Sequence, residues 1–472
     1  MKPLLLHDFF LSAAQRYPRR TLASSGDKSL TFAEAADKTK TFARALFAAG
    51  VRRSDRVVWR GGTDLDLVPL FFATASLGSI FVPLNPGLHD DETQRALDLC
   101  DPRLVIADDN HDGQMQLSEL SRASSTSGID IATVDETDGH IMFFTSGTTG
   151  ASKAVVLSHR TTVLRALPTL SDFPCGALVS MFPLFHMAAW TSAIGPWLSG
   201  DQVVFADGGD TAGLLKAIQD SRASRFYAIP AIWRRILDMD LAEYDLSSLQ
   251  WSNTGTSPTS TDLLTCIHEA LPHTMTSVTY GSTEAGGVCR LAFEDLQRKP
   301  SSVGPPLPGV SVRIEDGELW VDSPFLFDGY FKNPSATAAA FADRWYRTGE
   351  LAEIDEDGFV SILGRRSDMI RSGGEWISPA EVDTVLLEHP AVADGATVGV
   401  PDDSWGEIVT AFVVVRPGAS LTMEELREHC SRHLARYKVP RRLVVVDEIP
   451  RTGATRQVQR RHLLTHATIP TA

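Results

Sequence analysis

Cysteine is scarce in this sequence, and the few cysteines form no pattern. Five occur in 472 residues, and they include no C-x-x-C pair and no histidine at metal-ligand spacing. These absences exclude a disulfide framework and the usual structural zinc sites. We therefore expect buried free thiols at Cys100, Cys175, Cys266, Cys289 and Cys430.

Long apolar runs are also missing. No window approaches the roughly 18 to 20 consecutive apolar residues of a membrane span. The chain begins with Met1, Lys2 and Pro3, and its first apolar run is broken by His7 and Asp8, so it lacks the long apolar stretch of a secretory signal. We expect a cytoplasmic protein without a membrane span.

Basic residues are outnumbered by acidic ones. The chain has 44 lysines and arginines against 59 acidic residues, which gives a net charge of -15. Such a balance disfavours the broad basic footprint that binds a nucleic-acid backbone. An acidic surplus is a common source of solubility. We therefore expect no nucleic-acid partner.

Length and local patterns predict an α/β protein with more than one domain. The chain is too long for a single hydrophobic core. The spacing of Thr31 and Glu34 is that of a capping box, which predicts a helix start. Short β-branched runs at 56–59, 104–106 and 203–205 predict buried strands. Helical segments alternate with such strands over roughly the first 300 residues, which favours largely parallel sheets.

A smaller antiparallel region and a second domain follow. Strand-like segments at 315–330 and 353–363 are joined by Asp-Gly turns, which are typical of β-hairpins. The polar run 364–368 then separates this region from a new αβ segment. We predict a domain boundary there, with domains at 1–364 and 365–472.

The strongest local motif is the segment 141–153, which reads I-M-F-F-T-S-G-T-T-G-A-S-K. An apolar strand runs into a loop of hydroxyls and glycines. Glycines let main-chain N–H groups approach phosphate oxygens, hydroxyls donate to them, and Lys153 adds a positive charge. The spacing differs from the G-x-x-x-x-G-K-[ST] of Walker-type NTPases. The segment therefore predicts a phosphate loop of another class, whereas the plain alternative is a flexible surface loop.

This loop resembles the phosphate-binding signature of the adenylate-forming superfamily, which includes acyl-CoA synthetases, firefly luciferase and peptide-synthetase adenylation domains. The usual signature is T-S-G-T-T-G-x-P-K-G, and the chain departs from it at Ser152 and Ala154, changes that bear on the stiffness of the loop. The resemblance implies a large N-terminal domain of parallel-rich α/β subdomains with a small β region, then a small mobile α+β domain. It assigns phosphate contacts to Thr145, Ser146, Gly147, Thr148, Thr149, Gly150 and Lys153.

Further motifs of the superfamily follow in its order and cover nearly the whole chain. The segment F-P-L-F-H ends at His186, which resembles the histidine that lines the acyl pocket. Outside this context, a histidine beside aromatic residues is usually a satisfied core residue. The segment T-G-T-S-P begins with Thr254, Gly255 and Thr256 and resembles the loop that packs beside adenine.

The segment Y-G-S-T-E is similar to the next signature of the superfamily. There the tyrosine stacks on adenine, the threonine touches the α-phosphate and the carboxylate helps to hold Mg²⁺. One carboxylate plus substrate phosphates is the normal magnesium arrangement. The corresponding residues are Tyr280, Gly281, Ser282, Thr283 and Glu284.

The segment W-Y-R-T-G-E ends at Glu350, where the superfamily has an aspartate that binds both ribose hydroxyls. One extra methylene displaces the carboxylate by roughly 1.5 Å, so nucleotide affinity is expected to suffer. The resemblance places Arg365 at the ribose and Ser367 at the hinge. The next loop resembles the glycine loop that lines the pantetheine tunnel, where a thin ligand passes close to the backbone. Its residues are Ser372, Gly373, Gly374 and Glu375.

The acyl pocket is the least specified part of the predicted site. Trp190, Tyr227, Ala285, Gly286 and Gly287 lie beside the pocket positions of the superfamily. Two glycines after Ala285 would leave room for a bulky apolar acid. Trp190 and Tyr227 fit equally well as core aromatics.

A lysine that the superfamily carries near its C-terminus is missing. The family motif is P-[KR]-T-x-x-G-K-[IV], and its lysine neutralises the charge that develops as the carboxylate attacks the α-phosphate. Aligned on Pro450 the lysine position holds Arg456, and aligned on Val458 it holds Gln457; no lysine follows Lys438. A guanidinium does not replace an ammonium freely. Loss of such a charge typically slows a step by about 10²- to 10³-fold.

These departures favour an acyl-CoA ligase whose first half-reaction, adenylation, is impaired or lost. Such a chain resembles the non-adenylating member of split acyl-CoA ligase pairs in bacterial terpenoid-antibiotic metabolism, in which a partner ligase supplies the acyl-adenylate. Its substrates would be acyl-AMP and CoA. One alternative is a complete ligase that uses a carboxylic acid, ATP, Mg²⁺ and CoA; another is a non-catalytic binder of acyl-adenylates.

Overall fold

The structure is a computed structural model, and it describes residues 2–108, 114–122, 133–145, 153–171, 175–257, 259–300, 302–452 and 457–467. Within these residues the strands form four sheets, of which three precede Arg365 and one follows it. No helix in the described ranges has the length and hydropathy to cross a membrane. The architecture is the predicted α/β class, with a large domain and a small one.

The first sheet is largely parallel. Its strands, in spatial order, are β14 (Gly286–Ala292), β13 (Met275–Ser282), β12 (Trp251–Gly255), β11 (Arg225–Tyr227), β9 (Leu178–Ser180), β10 (Val203–Phe205), β1 (Thr21–Ser25) and β2 (Lys28–Thr31). Only the edge strands β2 and β14 pair in the antiparallel sense. Because β11, β12 and β13 are parallel, their final residues Tyr227, Gly255 and Ser282 lie at one edge of the sheet.

The second sheet is parallel in its centre. Its strands, in spatial order, are β17 (Gly329–Tyr330), β8 (Lys153–Ser158), β7 (Gly139–Thr145), β4 (Ile80–Leu84), β3 (Arg56–Arg60), β5 (Leu104–Ala107) and β6 (Met115–Gln116). Only β8 runs against the others, and it pairs in the antiparallel sense with β7 on one side and β17 on the other. The predicted strands at 56–59, 104–106 and 203–205 are thus confirmed as β3, β5 and β10.

Helices connect and cover these two sheets. They are α1 (Leu6–Arg16), α2 (Phe32–Ala48), α3 (Leu67–Ser76), α4 (Asp90–Cys100), α5 (Leu117–Arg122), α6 (His159–Ser171), α7 (Met187–Ser199), α8 (Thr211–Ser221), α9 (Pro230–Leu237), α10 (Thr261–Ala270), α11 (Phe293–Leu296) and α12 (Pro334–Ala340), with a 3-10 turn at Leu241–Glu243. The predicted capping box is present at the start of α2, where the side chains of Thr31 and Glu34 accept from each other's main-chain N–H groups.

The main hydrophobic core joins both large sheets through α3. This helix is apolar all round and buried from Leu67 to Ala75, as expected of a helix without a solvent face. Phe72 stacks on Phe10 with ring centroids 3.9 Å apart, and Phe71 packs against Trp190 at 4.4 Å. Each fully buried ring of this kind contributes about 2–3 kcal/mol. The cleft walls are therefore built on a rigid support.

A third, antiparallel sheet ends the large domain. It contains β15 (Ser311–Glu315), β16 (Glu318–Asp322), β18 (Phe341–Ala342), β19 (Trp345–Ile354) and β20 (Val360–Arg365). Asp316 and Gly317 have φ of 51° and 76°, and positive φ at both central residues is what a tight hairpin turn requires. The predicted Asp-Gly hairpins are confirmed here and at the turn that precedes β20.

The small domain has its own sheet and its own core. It contains β21 (Ile370–Ser372), β22 (Glu375–Ile377), β23 (Val392–Asp402), β24 (Gly406–Val415), β25 (Arg442–Val445), α13 (Pro379–Leu387), α14 (Met423–Ser431) and α15 (Arg460–Ala467). Its buried clusters include no residue before Ile370. The sheets therefore change between Arg365 and Ile370. The boundary between 1–364 and 365–472 stays a prediction.

The five cysteines are free thiols. Cys100, Cys289 and Cys430 are buried, as expected, whereas Cys175 and Cys266 are exposed. The expectation of burial is therefore wrong for two of them. Cys266 lies on α10, which turns Leu263, Leu264 and Ile267 inward and leaves the cysteine on its outer side.

Candidate active site

A cleft of about 3190 Å³ lies at the carboxyl edge of the first sheet. Tyr227, Gly255 and Ser282, at the ends of β11, β12 and β13, line it from the large domain, Glu350 from the third sheet and Arg460 from the small domain. In α/β proteins, ligands bind outside the carboxyl ends of the strands. This cleft is therefore the candidate active site.

The two ends of the predicted phosphate loop lie in this cleft. Thr145 and Lys153 face each other across β7 and β8 and both line the cleft. The Nζ atom of Lys153 lies 4.6 Å from the ring centroid of Tyr330, a cation–π contact. Lys153 is thus held beside the cleft. The intervening predicted residues Ser146, Gly147, Thr148, Thr149 and Gly150 lie outside the described residues.

The end of β12 supplies a second wall. Gly255 has φ of 158° and a Cβ there would lie 2.3 Å from the main-chain oxygen of Thr279, so only glycine fits this close strand contact. Thr256 adopts φ of 68° and lines the cleft. Thr254 is fully buried and does not reach the cleft wall. Two of the three predicted residues, Gly255 and Thr256, therefore lie at the cleft.

Glu350 is already engaged by a tyrosine. The hydroxyl of Tyr280 donates to Oε2 of Glu350 at 2.5 Å, and Nε of Arg365 lies 3.7 Å from Oε1. Burial, and next the carboxylate of Glu350, raise the pKa of Tyr280 well above its ordinary value. The phenol therefore stays protonated and remains a donor. Tyr280, Glu350 and Arg365, which were predicted to contact adenine and ribose, lie together here. One carboxylate oxygen of Glu350 already accepts a hydrogen bond from Tyr280.

Glu284 is held at the end of the Y-G-S-T-E turn. The hydroxyl of Tyr330 donates to Oε1 of Glu284 at 3.2 Å, and Gly281, Ser282, Thr283 and Glu284 all line the cleft. A single cleft-facing carboxylate fits Mg²⁺, which takes its other ligands from water and phosphate. Among the described residues, no group of three or more acidic, histidine or cysteine side chains could hold a metal by itself. A metal here would therefore depend on a bound nucleotide.

His186 precedes α7 directly and lines the cleft. Its Nδ1 accepts from the main-chain N–H of Ala188 at 3.1 Å, and its ring stacks on Phe182 with centroids 6.0 Å apart. Burial lowers the pKa of His186 to about 4. The ring is therefore neutral at pH 7 and carries its proton on Nε2.

The other acyl-pocket predictions divide into two groups. Tyr227, Gly286 and Gly287 line the cleft. Trp190 and Ala285 are each 1% exposed and lie behind its wall. Trp190 donates to the main-chain oxygen of Leu184 at 2.8 Å, so it takes the core-aromatic alternative, because its ring fills the space against α3.

Gln457 reaches the cleft from the small domain. Its Nε2 donates to the main-chain oxygen of Thr256 at 2.6 Å. The chain around it is closed by two bonds with Thr452, one from the N–H of Thr452 to the oxygen of Gln457 at 2.8 Å and one from the N–H of Gln457 to Oγ1 of Thr452 at 3.0 Å. Of the two positions that the sequence aligns with the lysine of the superfamily, Gln457 therefore lies at the cleft, and Arg456 lies outside the described residues.

Two ion pairs fasten this C-terminal segment to the small domain. Arg451 pairs with Asp394 and Arg460 pairs with Asp383, each at 2.6 Å. Gln457 lies between these anchors in the sequence. Its reach into the cleft is therefore set by the position of the small domain as a whole.

The hinge and the glycine loop lie in different places. Arg365 and Ser367 line the cleft, whereas Ser372, Gly373, Gly374 and Glu375 do not. Gly373 has φ of 59°, and a Cβ there would lie 2.9 Å from the ring of Trp405. Trp405 is 43% exposed and Arg441 lies 3.7 Å over its ring. In this arrangement the small domain turns Gln457, and not the glycine loop, towards the cleft.

Sequence reasoning missed Tyr330 and Arg165. Tyr330 holds both Glu284 and Lys153, and Arg165 donates to the main chain of Thr283 and Glu284. Neither belongs to a motif used above. Their contacts join elements more than 40 residues apart in the chain, as the separations of 46 for Tyr330 and 119 for Arg165 from Glu284 show. No local pattern signals such contacts.

The β7–β8 pair that brings Thr145 and Lys153 to the cleft, the tyrosine and carboxylate after a parallel strand, and the small domain over the cleft are the features expected of an adenylate-forming enzyme. Comparison with known proteins agrees. The chain belongs to the AMP-binding enzyme family, which it matches over residues 10–331, and it matches the AMP-binding enzyme C-terminal domain over residues 381–456. Within that family its relatives include acyl-CoA ligases, which places the chain in the acyl-CoA ligase family.

Two of these relatives cover nearly the whole chain. A 2-succinylbenzoate–CoA ligase of Bacillus cereus is 30% identical over 467 residues, which are 94% of this chain and 95% of that protein. A feruloyl-CoA synthase of an Amycolatopsis species is 31% identical over 469 residues, 93% of this chain and 95% of that protein. The structure of the o-succinylbenzoate CoA synthetase of Bacillus subtilis with its acyl-adenylate intermediate superposes with a TM-score of 0.89 at 28% identity, over 98% of each chain. The likeness confirms the predicted fold and the acyl-CoA ligase family.

Proposed function

We propose that this chain joins an already adenylated acid to coenzyme A, releases AMP, and makes the adenylate itself poorly or not at all. The observation that carries the proposal is Gln457, a neutral side chain that donates to Thr256 in the cleft. A glutamine amide bears no charge at any pH. It therefore cannot neutralise the charge that develops at the α-phosphate.

The size of the expected defect is large. Preorganised donors and charges at a transition state are typically worth about 10²- to 10³-fold each, and cationic contacts to a transferring phosphoryl group are worth about 10³-fold or more. Lys153 supplies one cation on the loop side of the cleft. The proposal holds that one cation there does not compensate for the one missing beside Thr256.

Glu350 supports the proposal from the nucleotide side. Its bond with Tyr280 at 2.5 Å occupies the carboxylate that would bind the ribose. A nucleotide must displace or share this bond, and a hydrogen bond to a charged group is worth about 1.5–3 kcal/mol. Free ATP would therefore bind weakly, whereas an acyl-adenylate has further contacts in the acyl pocket to offset the loss.

The second half-reaction needs other groups. The thiolate sulfur of CoA attacks the acyl carbonyl carbon, the bond from that carbon to the phosphate oxygen breaks, and AMP leaves with the electron pair. Neutral His186 can donate from Nε2 to an oxygen of the acyl-phosphate in the cleft. None of these steps requires a cation at position 457.

The face around the glycine loop suits a nucleotide-bearing thiol. Trp376 and Trp405 are 56% and 43% exposed, and Arg371 and Arg441 lie over their rings at 5.6 and 3.7 Å. Exposed aromatic rings beside arginines offer a stacking surface for a base and charge for phosphates. For thioester formation the small domain would rotate at the proposed hinge and bring this face to the cleft.

The acid is proposed to be bulky and largely apolar. Gly286 and Gly287 line the cleft without side chains beside Tyr227. The names of the two relatives given above refer to acids that contain a benzene ring, which supports an aryl acid for this chain as well. The proposed source of its adenylate is a separate ligase of the kind found in bacterial antibiotic pathways.

One comparison tests the proposal. A panel of aliphatic, aryl and polycyclic acids is supplied with ATP, Mg²⁺ and CoA, and then the matching acyl-adenylates are supplied with CoA alone; thioester and AMP are measured. We expect product mainly in the second series. Robust acid-dependent ATP–pyrophosphate exchange would instead identify a complete ligase. Tight adenylate binding without AMP release on addition of CoA would identify a non-catalytic binder.

A further inference from the structure

Arg165 lies on α6, and its buried side chain joins three main-chain carbonyls. Nη1 donates to the oxygen of Thr283 at 3.1 Å, Nη2 to that of Glu284 at 3.0 Å, and Nε to that of Phe325 at 2.8 Å. Arg165 is 7% exposed. The N–H of Phe327 also donates to the oxygen of Glu284, at 2.7 Å. A single guanidinium therefore ties α6 to the turn after β13 and to the chain beside it.

Gly286 leaves the space that this guanidinium occupies. Gly286 has φ of 71°, and a Cβ there would lie 2.9 Å from Nε of Arg165. Both the left-handed backbone and the close approach favour glycine. The glycine that follows the Y-G-S-T-E turn thus allows Arg165 to reach the carbonyls of that turn.

Arg165 keeps its charge at neutral pH. Burial lowers its pKa to about 10, while the carboxylates of Asp328 and Glu284 act in the opposite direction. Hydrogen bonds from a charged donor are stronger than neutral ones. The planar guanidinium also fixes the directions of its N–H groups, which an ammonium does not. Two such bonds to the turn, and a third to Phe325 beside it, restrain the turn more than a neutral side chain could.

We infer that Arg165 is a positioning residue: it fixes the main chain of Thr283 and Glu284, and so sets the side chains that meet the phosphate of a bound adenylate. The inference rests on the proposed function, because that function assigns the phosphate to Thr283. Arg165 also lines the cleft, but its Nε, Nη1 and Nη2 atoms all donate to main-chain oxygens. We therefore assign its effect on ligand binding to the position of the turn that it holds.

The test separates phosphate from nucleoside. AMP and adenosine are titrated calorimetrically into the wild type, Arg165→Met and Arg165→Lys. A displaced turn loses its hydrogen bonds to the phosphate, so we expect both variants to bind AMP about 10- to 100-fold more weakly. Adenosine, which lacks the phosphate, should bind as it does to the wild type. Lysine should not rescue, because one ammonium cannot reach three carbonyls in a fixed fork.

Arg225→Met is the matched control. Arg225 is also buried, at 4% exposure, and donates to the main-chain oxygen of Gly176 and to Asp201, away from the Y-G-S-T-E turn. We expect it to lower the melting temperature without changing the ratio of AMP to adenosine affinity. If Arg165→Met does not fold, Gly286→Ala takes its place and should change the ratio in the same direction.

The outcomes distinguish this inference from the proposed function. An unchanged ratio in a folded Arg165 variant, or an equal loss of AMP and adenosine binding, overturns the positioning role. A changed ratio in a chain whose wild type forms no thioester from any acyl-adenylate supports the positioning role and refutes the proposed function.

Discussion

Replacing Gln457 by lysine should restore adenylation. The present side chain ends at the cleft wall, where Nε2 lies 2.6 Å from the oxygen of Thr256. Lysine is longer by about one bond, roughly 1.5 Å, so its ammonium can pass this oxygen and enter the cleft. Gln457→Lys therefore adds one positive charge beside Thr256 and changes little else.

The expected gain follows from the distance and the surroundings. Two unit charges about 4 Å apart interact by about 4 kcal/mol at an effective dielectric constant of about 20. Each 1.36 kcal/mol is about tenfold in rate, which gives an upper bound near 1000-fold. Measured losses of single transition-state donors are about 10²- to 10³-fold. We expect acid-dependent ATP–pyrophosphate exchange to rise by about 100-fold or more.

The matched control is Gln457→Leu. It removes the same bond to Thr256 without adding charge, so its exchange rate should stay at the wild-type level. Thioester formation from acyl-adenylate and CoA should persist in both variants. The reasoning is refuted if Gln457→Lys folds with a wild-type melting temperature and exchanges no faster, or if the wild type already exchanges at the rate of the lysine variant.

Three further predictions concern neighbouring features. Glu350→Asp shortens the side chain and should withdraw the carboxylate from the hydroxyl of Tyr280, so AMP should bind more tightly in calorimetry. An unchanged or weaker affinity for AMP would contradict the idea that Tyr280 and the ribose compete for this carboxylate. Gly373→Ala should slow thioester formation without altering adenylate affinity, because its φ of 59° and the adjacent tryptophan ring strain any Cβ; equal turnover would argue against a role of the loop. Burial lowers the pKa of His159 to about 4 and that of His140 well below its usual value. The fold therefore favours the neutral form of both rings. The free energy of unfolding should keep its full value above about pH 6.5 and decrease as the pH falls towards 4. Urea unfolding at several pH values should show it, with His159 alone contributing on the order of 3 kcal/mol; a flat profile from pH 7 to 4.5 would contradict this.

The sequence predicted those parts of the fold that depend on residues close together in the chain. The capping box of Thr31 and Glu34 needs only residues three apart, and it is present as the spacing indicates. The Asp316-Gly317 turn likewise follows from two residues that tolerate positive φ. The predictions for the Y-G-S-T-E turn and the C-terminal segment also rest on continuous motifs, and the structure brings Glu284 and Gln457 to the cleft.

Contacts between distant segments could not be predicted from the sequence. Arg165 reads as one residue of an ordinary helix, yet it meets carbonyls of residues 118 and 119 positions away. The bond between Tyr330 and Glu284 depends on the second sheet, which places β17 beside β8, so no motif in the sequence indicates it. Trp190 was placed beside the acyl pocket by its position in the sequence, but burial against α3 turns it into the core. In each case the tertiary arrangement, and not the local pattern, decides where the side chain lies.

A neutral residue at 457 also bears on the order of events in the proposed reaction. In the present arrangement Gln457 holds the small domain to the cleft through a bond between uncharged groups, and such bonds contribute about 0.5–1.5 kcal/mol, against about 1.5–3 for a charged donor. A lysine would bind the anionic phosphate of an acyl-adenylate and oppose the departure of this segment. With glutamine, the proposed rotation that brings Gly373 and Gly374 to the cleft breaks a weaker contact. On the proposed function, a neutral residue at 457 would thus slow formation of the adenylate and ease its transfer to CoA, which is the direction of change expected of a chain supplied with ready-made adenylate.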